Sequence, residues 1–373
     1  MKEFPYKHIS VLIMPTDYCN MNCVYCFNTR KTKEKKKIMS LDTVRRIFEI
    51  TIPYYEEIRF IWHGGEPVSM GQKFYEEVFE MQTKLNINGA EIENSIQTNL
   101  TLLDEDFVKF LINNRVKIGG SFDGTMNHLT RHNTDKILKG RQMVLEQGGR
   151  VGFICVVQSK NIDCLIQDYE WFKDKGINYT LNQYMATPPY EEDELYVKPD
   201  YYAKRICELF DYWAKDVNCN IRISYFNDFV DYILHGHKSL CCYNSCLGKH
   251  VGIQYNGDIY NCNRDFPDNC CYGNVYDYED IHECFESKGF ENMAKQAVQR
   301  REKCKKECDI FDFCAGGCNS SAYMGGNITK ENEIVCQVLK NVYKYVEQRL
   351  VELKNEELVN PFLVEKVKQK KEA

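Results

Sequence analysis

The chain has 373 residues, a formal net charge of −6 and a sequence pI near 5.9. This length predicts two domains, and the acidic balance argues against a nucleic-acid partner. No run reaches the roughly 20 apolar residues of a membrane helix, and the short apolar run at 9–14 lacks a signal-peptide cleavage site. Nineteen cysteines without such a signal predict a cytoplasmic protein that uses its thiols for metal ligation.

Short β-type runs alternate with amphipathic stretches over residues 8 to 185. Helices are predicted in three of the intervening stretches, 41–54, 104–114 and 135–147, and Ser40 is the predicted N-cap of the first. Repeated βα units imply a parallel sheet and an α/β fold. The predicted strands are 8–16, 58–63, 94–98, 116–121, 151–157 and 179–185.

A CxxxCxxC motif made of Cys19, Cys23 and Cys26 directly follows the first predicted strand. Three thiolates on one loop can hold three irons of a [4Fe–4S] cluster and leave the fourth iron open. An open iron can bind a small molecule and deliver an electron to it. A zinc knuckle or three structural thiols would also satisfy the spacing taken alone.

Polar and glycine residues follow the next three strands, at the edge where parallel α/β folds place their chemistry. Glycines let the backbone approach a ligand closely, a carboxylate can accept from an ammonium group, and hydroxyl or amide groups suit a ribose. Ordinary turn chemistry is the alternative for each position. The residues are Gly64, Gly65 and Glu66 after the second strand, Gln97 and Asn99 after the third, and Ser121 and Asp123 after the fourth.

Together these motifs resemble the radical S-adenosylmethionine (radical SAM) enzymes. The resemblance implies a partial (β/α)6 barrel whose cluster chelates SAM and reduces it to a 5′-deoxyadenosyl radical. A basic run at 31–37 is either a solvated loop or a guide for an acidic substrate or for an electron donor of the flavodoxin or ferredoxin type. The resemblance also implies SAM contacts from Tyr25, Gly64, Gly65, Glu66, Gln97, Asn99, Ser121 and Asp123.

A second group of cysteines lies beyond residue 240 and contains a Cx5C and a Cx3C step. This order resembles the SPASM extension of radical SAM enzymes, although its first step is CxxxC where CxxC is usual. The resemblance implies two auxiliary [4Fe–4S] clusters, with zinc as the competing metal. The implied ligands are Cys246, Cys262 and Cys318 with Cys241 or Cys242 for one cluster, and Cys304, Cys308, Cys314 and Cys336 for the other.

The predicted domains are 1–235 for the radical SAM barrel, 236–345 for the SPASM region and 346–373 for a helix end and tail. Residues 255–260 are predicted to turn a β-hairpin at an Asn-Gly pair, and the lysine-rich tail is expected to fray.

The stretch SIQTNLTLLDE and the cysteine order are similar to anaerobic sulfatase-maturating enzymes and their peptide-modifying relatives. Sulfatase-maturating enzymes oxidise a Cys or Ser side chain to formylglycine: a radical removes a Cβ hydrogen and a base removes a proton. In that family an aspartate follows the hairpin cysteine, whereas this chain has Asn263 after Cys262. An amide cannot accept the proton, and Asp265 could substitute only if the loop shifts.

We therefore expect a peptide maturase that modifies a ribosomally made precursor (RiPP type), with Asn263 and Asp265 as candidate catalytic residues. Sulfatase maturation is the alternative function. A non-catalytic iron–sulfur electron carrier or zinc protein is the third reading. Open clusters are destroyed by oxygen, so we expect an anaerobic setting.

Overall fold

The computed structural model describes residues 7–26, 28, 37–263, 267–353 and 360–372. All six predicted strands are present, with ends that differ by up to three residues. The strands are β1 His8–Ile13, β2 Glu57–Trp62, β3 Glu91–Thr98, β4 Lys117–Ser121, β5 Val151–Val157, β6 Tyr179–Gln183, β7 His250–Ile253, β8 Asp258–Tyr260 and β9 Gly273–Asn274.

Helices separate the first six strands and dominate the C-terminal third. They are α1 Leu41–Glu49, α2 Gln72–Leu85, α3 Glu105–Asn113, α4 Asn127–Thr130, α5 Thr134–Glu146, α6 Leu165–Asp174, α7 Pro199–Ala214, α8 Ser224–His235, α9 Lys288–Glu307, α10 Phe311–Cys314, α11 Asn319–Met324, α12 Glu333–Leu353 and α13 Pro361–Glu372. Among the described residues, no helix is both long enough and apolar enough to cross a membrane.

The chain divides into two compact units, each of which gathers segments that are distant in sequence. The predicted domains are continuous stretches of sequence and so do not correspond to these units; their boundaries remain predictions. The first unit is Met1–Ser121, His132–Val151 and Cys246–Gln296, and the second is Phe122–Arg131, Gly152–Ser245 and Ala297–Ala373.

The first unit is organised by a sheet in which β4, β3, β2, β1 and β7 are parallel neighbours in that order. Alternate residues of β2, Ile58, Phe60 and Trp62, are buried in the core. Trp62 is paired with Ile13 of β1 and with Ile96 of β3. Because the strands run in one direction, the residues that follow β1 to β4 meet at one edge of the sheet.

The predicted hairpin is confirmed as the antiparallel pair β7 and β8. Gln254 N donates to Asp258 O at 2.9 Å, and Gly257 sits at φ +90°, a conformation that favours glycine. Ile253 of β7 in turn accepts from Met14 N at 2.9 Å. The hairpin is therefore attached to β1, just before the cysteine loop.

The first helix is confirmed with Ser40 as its N-cap, which accepts from Thr43 N at 3.1 Å. The helix ends at Glu49, however, and not at Tyr54 as predicted. Pro53 lies in a short 3₁₀ turn that follows, and a residue preceding proline is disfavoured in the α conformation.

The second unit contains the parallel pair of β5 and β6 and most of the long helices. Helix α12 buries Ile334, Val338, Val342, Val346 and Leu350, whose spacing of four residues lies along one face.

The expectation of a frayed tail was wrong, because residues 361–372 form α13. Asn360 anchors this helix: its Nδ2 donates to Trp213 O at 2.7 Å, and its Oδ1 accepts from Phe362 N at 3.0 Å. Leu363 is fully buried one turn later. The basic composition of the segment concealed these two local anchors.

Asn360→Ala should lower the free energy of unfolding by about 1–3 kcal/mol, because it leaves the Trp213 carbonyl without that buried donor. Denaturant unfolding would measure the change, and limited proteolysis should show earlier cleavage near residue 360. The exposed Asn114, which contacts only its own helix, gives a control in Asn114→Ala. Equal proteolysis of both variants would contradict the anchoring role.

Candidate active site

The cysteine motif follows β1 as a loop that is held at several backbone positions. Cys26 N donates to Cys23 O at 3.1 Å and closes a turn between these two ligand candidates. Thr16 Oγ1 donates to Lys37 O at 2.7 Å and accepts from Tyr18 N at 3.1 Å. The two ends of the segment from Thr16 to Lys37, which contains the cysteine loop, are therefore joined by a hydrogen bond.

The three thiols are close enough to influence one another's charge. Burial raises the pKa of the Cys19 thiol to about 11, the Met21 N–H opposes this shift, and Glu66, Cys23 and Cys26 add to it. Three thiolates in this loop would repel one another and a buried carboxylate, so a positively charged iron centre fits the donor set.

In the part of the chain that the structure describes, no three His, Cys, Asp or Glu side chains converge as ligands of a single ion do. In an iron–sulfur cluster each thiolate binds a different iron. The ligation of such a cluster by the three cysteines of this loop remains a prediction.

The Gly-Gly-Glu motif after β2 packs directly on the cysteine loop. Gly65 N donates to Thr16 O at 2.9 Å, and Glu66 N donates to Tyr18 O at 2.6 Å. A Cβ on Gly65 would lie 2.1 Å from the Tyr18 carbonyl oxygen, and Gly64 adopts φ +105°. Both glycines are therefore required by the close approach of two backbones.

The carboxylate of Glu66 is buried and bonded on both oxygens. Oε1 accepts from Val68 N at 3.1 Å and from Thr98 Oγ1 at 2.6 Å, and Oε2 accepts from Asn99 N at 2.7 Å. Only 1% of the residue is exposed. Glu66 therefore connects the loop after β2 with the end of β3, and its predicted contact with SAM remains a prediction.

The other predicted SAM contacts lie at strand ends. Gln97 Nε2 donates to Gly120 O at 2.8 Å and to Ser121 Oγ at 2.9 Å, which brings the third and fourth strand ends together. In the second unit, buried Asp123 accepts from Val156 N and Thr130 Oγ1.

Tyr25 is half-buried in the turn between the last two cysteines. Its contact with SAM, like those of Gln97, Ser121 and Asp123, remains a prediction.

Asn263 follows the hairpin strand β8 and lies against the loop after β2. Its Nδ2 is 3.2 Å from His63 Nδ1, and its Oδ1 is 3.3 Å from Cys262 Sγ. His63 Nδ1 also accepts from Gly64 N at 2.8 Å, which places the ring proton of the neutral imidazole on Nε2. Asp265, the other catalytic candidate, lies outside the described residues.

Sequence reasoning missed His63 as a site residue. The signal was its position directly before the Gly-Gly-Glu motif, at the end of a strand next to β1. Its pairing with Asn263, 200 residues later, depends on the attachment of β7 to β1.

The four thiols predicted for the second auxiliary cluster all belong to the second unit and lie near one another. Burial raises the pKa of Cys314 to about 12, and Cys336, Cys308 and Cys304 add to the shift. Cys308 N donates to Cys304 O at 2.9 Å at the end of α9. The grouping agrees with the predicted ligand set.

Arg300, fully buried, organises the loop between Cys314 and Cys318. Its Nε donates to Gly316 O at 2.8 Å, and its Nη2 donates to Asn319 Oδ1 at 2.6 Å and to Gly317 O at 3.3 Å. One guanidinium thus binds the carbonyls of both loop glycines. No sequence motif singled this arginine out.

The ligands predicted for the first auxiliary cluster fall into two local groups. In the first unit, Asn261 directly precedes Cys262 in the sequence, and its Nδ2 donates to Cys246 Sγ at 3.5 Å. In the second unit, burial raises the pKa of Cys242, and Cys241 and Cys318 contribute. The four-cysteine set and the choice between Cys241 and Cys242 remain predictions.

Residues 13–172 match the family model of the radical SAM superfamily. With the cysteine loop at the end of β1 and the motifs of the neighbouring strand ends, this confirms the resemblance: the chain carries a radical SAM domain. Members of this superfamily bind a [4Fe–4S] cluster and SAM, and the ligation of that cluster by Cys19, Cys23 and Cys26 remains a prediction.

The chain is similar over nearly its whole length to sulfatase-maturating enzymes. It is 29% identical to the cysteine-type anaerobic sulfatase-maturating enzyme of Clostridium perfringens, covering 93% of this chain and 98% of that protein. It is 24% identical to the serine-type enzyme of Bacteroides thetaiotaomicron, covering 85% and 84%. The solved structure of native anSMEcpe with bound AdoMet matches with a TM-score of 0.83 at 29% identity, over 93% of this chain and 100% of that one.

Arg300→Lys should reduce the iron content by about one cluster, because an ammonium cannot bind the two glycine carbonyls in the same planar geometry. Iron and sulfide analysis after anaerobic reconstitution would measure the loss. Arg301→Lys is a matched control on the same helix. Arg301 Nη1 donates to the hydroxyl of Ser245, and the aliphatic part of the side chain, which lies beside Gly316, is kept in lysine. Full loading of Arg300→Lys would show that the loop needs no such anchor.

Proposed function

We propose that this protein is a radical SAM enzyme that oxidises a cysteine side chain of a protein substrate, as anaerobic sulfatase-maturating enzymes do. The observation that carries the proposal is the match of both chains over nearly their entire lengths, with the cysteine-type enzyme at 29% identity. The solved structure of native anSMEcpe with bound AdoMet and Cp18Cys peptide matches with a TM-score of 0.83. The function that sequence analysis ranked second therefore becomes the preferred one.

When bound, the cluster and SAM supply a 5′-deoxyadenosyl radical that removes hydrogen from carbon. In this chain Cys19, Cys23 and Cys26 would hold that cluster. Glu66 holds the loop after β2 against the end of β3 and against the cysteine loop. This framework fixes the edge of the sheet at which the substrate would be oxidised.

Oxidation of a cysteine CH2–SH group to CH=S removes one hydrogen atom from Cβ, one proton from sulfur and one electron. The electron requires an acceptor, and an auxiliary iron–sulfur cluster would supply one. The ligands proposed for this cluster are Cys304, Cys308, Cys314 and Cys336, grouped within the second unit. Water then converts the thioaldehyde to the aldehyde and releases hydrogen sulfide.

The proton on the sulfur of the substrate cysteine needs an acceptor, and Asn263 stands at the position where the sulfatase-maturating family has a carboxylate. The Asn263 amide can donate hydrogen bonds but cannot take up a proton, and the His63 Nδ1 lone pair beside it already accepts from Gly64 N. We propose that the substrate thiol is bound as a thiolate that has already lost its proton to water. A serine hydroxyl, far less acidic than a thiol, would be a poor substrate.

Cluster reduction requires an electron donor, for which we propose a flavodoxin- or ferredoxin-type protein. The basic run at 31–37 remains its proposed docking segment, although residues 31–36 lie outside the described part of the chain. We also propose that the protein works in a reducing cytoplasm. All nineteen cysteines, none of them in a disulfide, support this proposal.

The test is to incubate anaerobically reconstituted protein with SAM, a reductant and a sulfatase-type peptide containing cysteine, and to measure the mass of the peptide. We expect conversion to formylglycine together with 5′-deoxyadenosine. Cys19→Ala should form neither product because one iron of the cluster loses its ligand. A matched peptide with alanine at the reacting position controls for uncoupled SAM cleavage.

An unchanged peptide with continued formation of 5′-deoxyadenosine would refute sulfatase maturation and favour the peptide maturase. Asn263 is the observation that supports this second candidate. A precursor peptide encoded beside the gene would then be the next substrate to measure.

Asn263→Asp should leave SAM cleavage intact and increase peptide oxidation most strongly at low pH. In the parent protein, oxidation should rise with pH through the thiol range near a pKa of about 8.5, because only the thiolate is bound. An aspartate can accept the proton itself, so its variant should lose most of this dependence. Rates of peptide oxidation would be measured from pH 6 to 9, a range that roughly spans that thiol pKa. A rate for the parent protein that does not change with pH would contradict the thiolate proposal.

A further inference from the structure

Three polar side chains form a closed hydrogen-bonded ring between the end of β3 and the cysteine loop. Thr101 Oγ1 donates to Asn99 Oδ1 at 2.7 Å, Asn99 Nδ2 donates to Asn20 Oδ1 at 2.9 Å, and Asn20 Nδ2 donates to Thr101 Oγ1 at 2.8 Å. Each of the three side chains donates once and accepts once within the ring. We call these three residues the Asn99 ring.

The ring fixes the orientation of the Asn99 amide. Asn99 Oδ1 accepts not only from the Thr101 hydroxyl but also from Thr101 N at 3.0 Å, so the oxygen cannot exchange places with the nitrogen without losing both bonds. The amide nitrogen therefore faces the cysteine loop. One of its hydrogens is bonded to Asn20.

The second amide hydrogen is directed at a cluster ligand. Asn99 Nδ2 lies 3.8 Å from Cys19 Sγ, a long N–H···S contact. Met21 N donates to the same sulfur at 3.4 Å. Cys19 thus receives two N–H groups, one from its own loop and one from a separate strand end.

The backbone of Asn99 is held as firmly as its side chain. Asn99 N donates to Glu66 Oε2 at 2.7 Å, and the residue is only 4% exposed. The amide is therefore presented to Cys19 from a rigid position, fixed by the buried carboxylate on one side and by the ring on the other.

We propose that Asn99 is a positioning residue that raises the reduction potential of the SAM-binding cluster through its N–H···S contact with Cys19. Reduction adds negative charge to a cluster and its thiolates, and hydrogen bonds to the sulfurs favour the more negative form. The Asn20 and Thr101 side chains act by keeping the amide oriented. The inference rests on the proposed function only in that Cys19 ligates the cluster.

The test is a potentiometric titration, followed by EPR, of reconstituted protein without SAM. The relevant signal is the one that Cys19→Ala lacks. Asn99→Leu keeps the approximate side-chain size but removes the donor, so the potential should become more negative while iron content is unchanged. Asn114→Leu, an exposed asparagine at the end of α3, is the matched control and should leave the potential unchanged.

Thr101→Val provides a second measurement because it keeps Asn99 and removes only the hydroxyl of the ring. It should shift the potential in the same direction by a smaller amount. If Asn99→Leu fails to load its cluster, Thr101→Val decides: a negative shift supports the inference, and an unchanged potential overturns it.

If Asn99 only contacts SAM and does not affect the cluster, the result would differ. Asn99→Leu would then keep the potential measured without SAM and change only the response of the signal to added SAM. That outcome overturns the inference. If the parent protein has no signal that depends on Cys19, the radical SAM assignment itself fails, which is a separate result.

Discussion

The buried carboxylate of Glu66 is the interaction on which the rest of the candidate site depends. Burial of a charged carboxylate is costly unless its oxygens are bonded, and here they accept from Val68, Thr98 and Asn99. These bonds fix the loop after β2 to the end of β3, while the backbone of Glu66 binds the cysteine loop. The carboxylate thus positions three strand ends.

Each group of thiols has a different means of support. The Cys19 loop is held by backbone contacts with the Gly-Gly-Glu loop and by N–H groups directed at its first sulfur. The Cys314 loop is held by the buried guanidinium of Arg300. In both places hydrogen bonds from neighbouring residues hold the loop that carries the cysteines.

The family resemblance and the departure from it belong to the same site. Similarity over the whole length of the cysteine-type enzyme supports oxidation of a cysteine side chain, whereas Asn263 removes the carboxylate expected beside Cys262. The Asn263 amide, which lies beside His63, can donate hydrogen bonds but cannot take up a proton as a carboxylate does. The proposal that the substrate arrives as an anion rests on this difference, because thiols ionise much more readily than alcohols.

The strands, the parallel α/β class and the position of the cysteine motif were predictable from the sequence, because they depend on local periodicity and spacing. It could not predict helix α13, whose anchor at Asn360 depends on the distant Trp213 carbonyl. Nor could it predict the contact between His63 and Asn263, the guanidinium of Arg300 or the ring around Asn99. Each of these contacts joins polar atoms of segments that are brought together by packing and not by proximity in the chain, so only the folded structure reveals them.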